Sequence, residues 1–117
     1  MEELKELICD YVKELHIATF NDLEELLHRN NIAFNGDKTL APEENRHAIL
    51  WSGLNEEVIS ALAELVREKR VFVRSDETTI LLYLFDGKGQ NLPIGKAQNV
   101  KKYKTNHWIP AVLSDRQ

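Results

Sequence analysis

The sequence predicts an α+β fold with three to four helices, a small antiparallel β-sheet and a C-terminal strand-like extension. Apolar residues recur at helical spacing in the segments 2–15, 21–30 and 55–69. The segments 70–74 and 78–85 are instead rich in β-branched and aromatic residues, which favour strands. The helical segments and the strand segments therefore occur in one chain without the regular alternation of a parallel α/β protein.

The bulk composition indicates one globular domain spanning residues 1–117. The chain is 43% hydrophobic and 29% charged, which is ordinary for a folded protein of this length. Cys9 is the only cysteine, so no internal disulfide can form, and a reducing compartment is expected. The acidic start "MEELKELICDYVKEL" does not resemble a signal peptide, and no apolar run approaches the ~20 residues of a membrane span. We therefore expect a cytoplasmic protein with no membrane partner.

Residues 1–31 are predicted to form an N-terminal helical pair. Helix 2–15 carries one apolar stripe, and helix 21–30 carries another. Two frames are open for the cap of the second helix, Asn21 with Glu24 or Thr19 with Asp22. The stripes consist of Leu4, Leu7, Ile8, Tyr11, Val12 and Leu15, and of Leu23, Leu26 and Leu27.

The middle of the chain leaves one segment ambiguous. Residues 32–41 are expected to be extended, with a turn at Asn35-Gly36. Residues 43–51 follow Pro42 and are predicted as a helix, although Ala48, Ile49 and Trp51 could equally form a short strand. Helix 55–69 comes next, with Asn55 as its N-cap.

The hairpin at 70–74 and 78–85 has an unusual second strand, because apolar side chains occupy both of its faces. Both faces must then be covered. Helices can cover one of them, and the remaining segment, 86–117, is available for the other. We therefore expect a basic C-terminal extension packed on the sheet.

No arrangement of residues indicates catalysis. The four histidines and Cys9 do not fall at metal-ligand spacings, and "DGKGQN" lacks the pattern of a phosphate-binding loop. The adjacent glutamate pairs point apart on their helices and do not assemble a general acid with a base. The sequence therefore predicts a protein that is not an enzyme and that holds no cofactor and no metal.

One motif resembles a known family. In "SGLNEEVIS", Gly53, Leu54, Asn55, Ile59 and Ser60 match the turn and second helix of a helix-turn-helix, with 43–51 as the first helix. The following "ALAELVREKRVFV" and "TTILLYLF" resemble the third helix and β-hairpin wing of the winged-helix superfamily. The resemblance covers residues 43–85, so residues 42–85 are expected to be a helix-turn-helix plus wing. It implies DNA binding and a transcription-associated role, or use of the scaffold for protein contacts.

Two functions remain open. The acidic Glu56 and Glu57 start the would-be recognition helix, which disfavours its entry into a DNA groove. Basic residues are instead concentrated after residue 85, where Tyr103 and Trp108 could stack on bases or belong to the core. The first hypothesis is a DNA- or RNA-binding module, and the alternative is a module for a protein partner or homodimer that uses its acidic helices. In the first, the contacts would come from Asn55, Ser60, Arg70, Arg74, Lys101, Lys102 and Lys104.

Overall fold

This computed structural model describes residues 2–117. They contain four α-helices, one 3-10 helix and seven short strands. Their radius of gyration is 13.3 Å, as expected for a compact domain of this length. The α+β class predicted from the sequence is confirmed. The helices are α1 (Glu2–Leu15), α2 (Phe20–Arg29), α3 (Glu56–Arg67) and α4 (Thr79–Asp86), with the 3-10 helix at Ala97–Lys102. The strands are β1 (Ile17–Ala18), β2 (Asn35–Leu40), β3 (Ala48–Ile49), β4 (Trp51–Leu54), β5 (Phe72–Arg74), β6 (His107–Trp108) and β7 (Val112–Ser114).

The three amphipathic helices form where the apolar periodicity predicted them. Thr19 caps α2 through a capping box with Asp22, so the second of the two possible frames is the one used. Asn55 caps α3 by accepting a hydrogen bond from the backbone N–H of Glu57 at 2.9 Å. These side chains satisfy backbone donors that have no partner inside the helix.

The strands form three small sheets, and the C-terminal segment enters two of them. β7 is the central strand of an antiparallel sheet, between β1 and β5. β3 and β6 pair in parallel, with Ala48 opposite His107. β2 and β4 form an antiparallel ribbon whose register shifts where Asn35 and Lys38 both pair with Leu54. The extension 86–117, which was predicted to pack on the sheet, supplies strands to two of the three sheets.

Four aromatic side chains stack at the centre of the core. The rings of Phe20 and Trp51 are nearly parallel with centroids 5.2 Å apart, and Tyr83 lies 5.5 Å from Trp51. Trp108 meets Trp51 and Tyr83 edge-on at 6.1 and 5.1 Å. Such geometries are favourable for the aromatic quadrupole. Trp108, which the sequence left open as a stacking or core residue, is a core residue.

The helix predicted at residues 43–51 is wrong, and the strand alternative is the one that forms. Asn45 explains the outcome. Its side-chain oxygen accepts from the N–H of His47 at 2.8 Å, and its Nδ2 donates to the carbonyls of Val100 and Tyr103, both at 2.8 Å. Asparagine thus offers the backbone a turn in place of a helix, and the following residues pair as β3. The first helix of the proposed helix-turn-helix is therefore not formed.

The second wing strand predicted at residues 78–85 is also wrong, since this segment is the helix α4. Asp76 stabilises the turn that leads into the helix: its carboxylate accepts from the N–H of Thr78 at 2.8 Å and from the Thr79 hydroxyl at 3.2 Å. Gly87 ends it in the left-handed conformation, at φ 65°. β7 takes the place beside β5 that the wing strand was predicted to fill.

Gly53, which the helix-turn-helix resemblance placed in a turn, has a positive φ of 84°. The residue lies in β4, however, and not in a turn between two helices. The positive φ accompanies the shifted register of the β2–β4 ribbon, where a left-handed residue is a common feature of a bulge.

Candidate functional site

Asn55 and Ser60, the predicted base readers, both lie at the start of α3, and Asn55 is its N-cap. The Asn55 oxygen is engaged as the N-cap, and its backbone N–H donates to the Phe34 carbonyl at 2.8 Å. Ser60 is half-buried one turn before Glu64, which contacts α1. The Asn55 oxygen is therefore already used within the fold.

Arg70 is held in an ion-pair network between α1 and the end of α3. Its guanidinium donates to Glu6 at 2.6 Å and to Glu68 at 3.5 Å. Glu68 also binds Lys5 at 2.7 Å, and this hydrogen bond raises the pKa of Lys5 and lowers the pKa of Glu68. The Lys5 side chain is only 3% exposed. Arg70 is therefore occupied by carboxylates, and these contacts raise the pKa of its guanidinium.

Arg74 is the last residue of β5, which is an edge strand of its sheet. It is exposed, pairs across the ladder with Val112, and forms no ion pair within residues 2–117. An exposed cation on an edge strand discourages pairing with another chain.

Lys101, Lys102 and Lys104 lie together on what we call the lysine loop, residues 96–106. All three are exposed and form no ion pair with another of the described residues. The loop is held by the two hydrogen bonds from Asn45 and by the Tyr103 hydroxyl, which accepts from the Lys96 N–H at 2.7 Å. The cations are thus carried on a loop that side chains fix in place.

Two histidines and one arginine border the lysine loop. His47 lies 2.8 Å from the Asn106 side-chain oxygen, and the His107 ring stacks on Tyr103 at a centroid distance of 4.3 Å. Arg46 is exposed between Asn45 and His47, both of which bind the loop. The structure therefore groups the three predicted lysines on one loop with Arg46 beside it, while Asn55 and Arg70 are engaged by other parts of the fold.

The most unusual surface is the outer face of α4, formed by Leu81, Leu82, Leu84 and Phe85. Tyr83 points inward and is 2% exposed, whereas Phe85 is 88% exposed and Leu84 65%. At 100° per residue, Leu81 and Phe85 lie almost opposite Tyr83, with Leu82 and Leu84 on either side. A helix that is apolar all round is normally buried on all sides. Here one side of the helix is left uncovered by residues 2–117.

A groove of about 470 Å³ lies beside this face, and we call it the α4 groove. Leu84 belongs to both, so the groove and the outer face are continuous. Its apolar lining also includes Ile80, Leu92, Ile94 and Trp108. Ile94 is itself 59% exposed, which extends the apolar surface across the groove.

The two charged residues at the end of α4, Asp86 and Lys88, contact side chains of α2. Asp86 accepts from the Asn21 side chain at 3.0 Å, and Lys88 pairs with Glu24. Asn21 also donates to the Lys88 carbonyl at 2.9 Å. The outer face of α4 therefore carries no charged side chain, although the whole chain has a net charge of −4.

A second, larger groove of about 730 Å³ lies between α3 and the lysine loop. Its floor is apolar, and its charged lining residues are Glu43, Glu44 and Arg67. Within residues 2–117 no three His, Cys, Asp or Glu side chains are grouped as metal ligands, and Cys9 is fully buried.

The outer face of α4 was not predicted, although the sequence contained its signal. The run "TILLYLF" is apolar at every position after its threonine, and it was interpreted as a strand with two apolar faces. The same run is also compatible with a helix that has one inward tyrosine and four outward apolar residues.

In the comparisons with known proteins, no family model, curated protein or solved structure matches this chain. No helix in residues 2–117 is long and apolar enough to cross a membrane.

Proposed function

We propose that the protein is a non-enzymatic interaction module that binds a protein partner through the outer face of α4. The observation that carries the proposal is the exposure of Leu81, Leu82, Leu84 and Phe85 on one uncharged helix face. Burying a side chain of this kind contributes about 1.5–3 kcal/mol. Contiguous apolar patches on a soluble protein are typical of interaction sites.

The α4 groove supports the same proposal. Interfaces derive most of their affinity from a few apolar anchors that fill pockets. Here an exposed aromatic residue and an apolar groove adjoin on one surface, so the surface can both insert an anchor and receive one. The proposal does not use the winged-helix resemblance, because helix 43–51 and the second wing strand are not formed.

The proposal is tested by placing a photo-crosslinking amino acid at Phe85 and irradiating the protein in an extract of its native cells. The matched control places the same residue at Leu15, which is 40% exposed on α1. We expect a discrete protein adduct at position 85 that is suppressed by Leu81→Asp. If position 85 yields no adduct beyond that of the Leu15 control, the proposal is wrong.

A second candidate function is sequence-independent binding of DNA or RNA by the lysine loop. The observation that favours it is the group of exposed cations, Arg46, Lys101, Lys102 and Lys104, on a loop fixed by Asn45. Lysines on such a loop can contact phosphates without reading bases. The base-reading role proposed for Asn55 and Ser60 has no support in this arrangement.

The test is a salt titration of binding to a short fluorescent duplex and to a single strand. Neutralising Lys101, Lys102 and Lys104 together, each to Gln, should reduce the slope of log K against log salt by about 2–3. The control, Lys13→Gln on the exposed side of α1, should leave the slope unchanged. An unchanged slope in the triple variant, or no binding by the native chain at low salt, would eliminate this candidate.

A further inference from the structure

Resting on the proposed function, we infer that the partner is a second copy of this chain, and that Phe85 of each copy inserts into the α4 groove of the other. A two-fold dimer requires one patch to be complementary to itself. The α4 surface meets this condition, because it carries a projecting aromatic side chain beside an apolar recess.

The dimensions of the groove suit this occupant. The α4 groove has a volume of about 470 Å³, while a cavity of ~150 Å³ already accommodates a benzene ring. The ring of Phe85 can therefore enter together with part of the adjacent leucine surface. Within one chain, Leu84 lies on the helix between Phe85 and the residues that line the groove. When two copies of α4 pack antiparallel about a two-fold axis, each Phe85 can reach across the Leu84 of the other copy into its groove.

Charge favours a second copy at this surface over one at α1 or α3. Two chains of net charge −4 repel one another. On α1 and α3 the exposed faces carry many carboxylates, including Glu2, Glu3, Glu56 and Glu57. The outer face of α4 is uncharged; at its end Lys88 is paired with Glu24, while Asp86 accepts a hydrogen bond from the neutral Asn21 amide and keeps its charge. Pairing through α4 therefore brings fewer like charges together than pairing through α1 or α3.

The available area is sufficient for a reversible dimer. Leu81, Leu82, Leu84, Phe85 and Ile94 together expose on the order of 500 Å² per copy. Two such patches, with their rims, approach the ~1,200 Å² lower limit of a specific interface. We therefore expect association at micromolar rather than nanomolar concentration, on the order of 1–100 μM.

The first measurement is sedimentation equilibrium over a concentration series of the native chain. We expect a concentration-dependent dimer whose dissociation constant rises at least about tenfold in Phe85→Ser. The control Leu15→Ser removes an exposed leucine from α1 and should leave the dissociation constant unchanged. Since Phe85 is 88% exposed, its replacement should not unfold the chain, and circular dichroism verifies this.

The second measurement tests the arrangement. Chains carrying Phe85→Cys are mixed, at a concentration above the raised dissociation constant expected for a Phe85 variant, with chains carrying Asn91→Cys, an exposed residue that lines the groove. Insertion brings these two positions together, so the mixed disulfide should form in preference to the Asn91→Cys self-pair. A preferred self-pair, or a dimer that tolerates Phe85→Ser, would overturn the inference.

The outcomes also separate this inference from the proposed function. A native chain that remains monomeric up to about 1 mM, yet crosslinks to a different protein at position 85, refutes the homodimer and retains the interaction module. A monomeric chain without any adduct refutes both. A dimer with the mixed disulfide supports both.

Discussion

The hydroxyl of Tyr83 connects three parts of the fold, and its removal gives a direct test of how α4 is attached. The backbone N–H of Phe20 donates to this oxygen at 3.1 Å, and the hydroxyl donates to the Ala111 carbonyl at 2.7 Å. Phe20 and Ala111 are fully buried, and Tyr83 is 2% exposed. In Tyr83→Phe both backbone groups lose this partner without gaining access to water.

The magnitude follows from the two groups left unpaired. Phe20 is the first residue of α2, so its N–H has no partner inside that helix. Each buried polar group that loses its hydrogen bond costs about 1–3 kcal/mol. We therefore expect Tyr83→Phe to lower the free energy of unfolding by about 2–6 kcal/mol. At about 4 °C per kcal/mol for a chain of this length, the midpoint Tm should fall by roughly 8–24 °C.

The assay is urea and thermal unfolding followed by circular dichroism, with Tyr11→Phe as the matched control. Tyr11 is half-buried on α1, and its hydroxyl makes no hydrogen bond within residues 2–117. Its replacement should cost less than about 0.5 kcal/mol, and the urea m-value should be the same for both variants. If Tyr83→Phe is no more destabilising than Tyr11→Phe, the hydroxyl does not hold α4 in the way described here.

Three further predictions concern the backbone and the pH limits of stability. Gly53→Ala should destabilise the chain by about 1–2 kcal/mol in urea unfolding, because its φ of 84° disfavours an L side chain; an unchanged midpoint would show that the β2–β4 ribbon adapts without strain. In acid, the His16 ring lowers the pKa of Asp115 and the Thr78 hydroxyl lowers the pKa of Asp76 in the folded chain. The free energy of unfolding should therefore be at its full value above about pH 5, and should fall as the pH drops below the unfolded-state pKa near 4 and through the lower native pKa values. Asp115→Asn should reduce the dependence of the free energy of unfolding on pH between about pH 2 and 5, and an unchanged dependence would contradict the role given to Asp115. In alkali, stability should fall as the pH rises, because burial raises the pKa of Tyr83 and its hydroxyl therefore ionises at lower pH in the unfolded chain than in the folded one. The free energy of unfolding should fall above about pH 10. Tyr83→Phe should show a weaker decline in the same titration.

Long amphipathic helices were predictable because a period of 3.6 over ten or more residues has few alternatives. α1 and α3 each repeat their apolar stripe over three turns or more, and Thr19 and Asn55 mark helix starts with caps that depend on adjacent residues. Those signals are local, so the sequence contains them in full.

Two segments were predicted wrongly for different reasons. The structure of one depends on contacts with residues distant in sequence, and the other has no hydrophobic periodicity that distinguishes a helix from a strand. Residues 43–51 become a turn and a strand because Asn45 binds the carbonyls of Val100 and Tyr103, more than fifty residues away. In α4 the run of apolar residues erases the difference between a period of 2 and one of 3.6. Asp76, in the turn before the helix, and Gly87, which follows its last residue, were the remaining local signal.

The candidate site was hidden for the same reason. An apolar run that is interpreted as a strand calls for cover on two faces, and the C-terminal segment was then assigned to one of them. As a helix, the run needs cover on its Tyr83 side, which the aromatic core provides, and its other side remains on the surface. The lysine loop was easier to predict, because a cluster of cations is visible in the sequence whatever element carries it.

α4 separates folding from interaction within eight residues. Tyr83 contributes to stability through its stacking and its two hydrogen bonds, whereas Phe85 makes little contact with its own chain. Replacing an exposed residue of this kind changes stability by no more than about 0.5 kcal/mol. The same residue, buried in an interface, can cost more than 2 kcal/mol of binding. Phe85→Ser and Tyr83→Phe should therefore have opposite signatures, one weakening association in a stable chain and the other destabilising a chain whose outer face is intact.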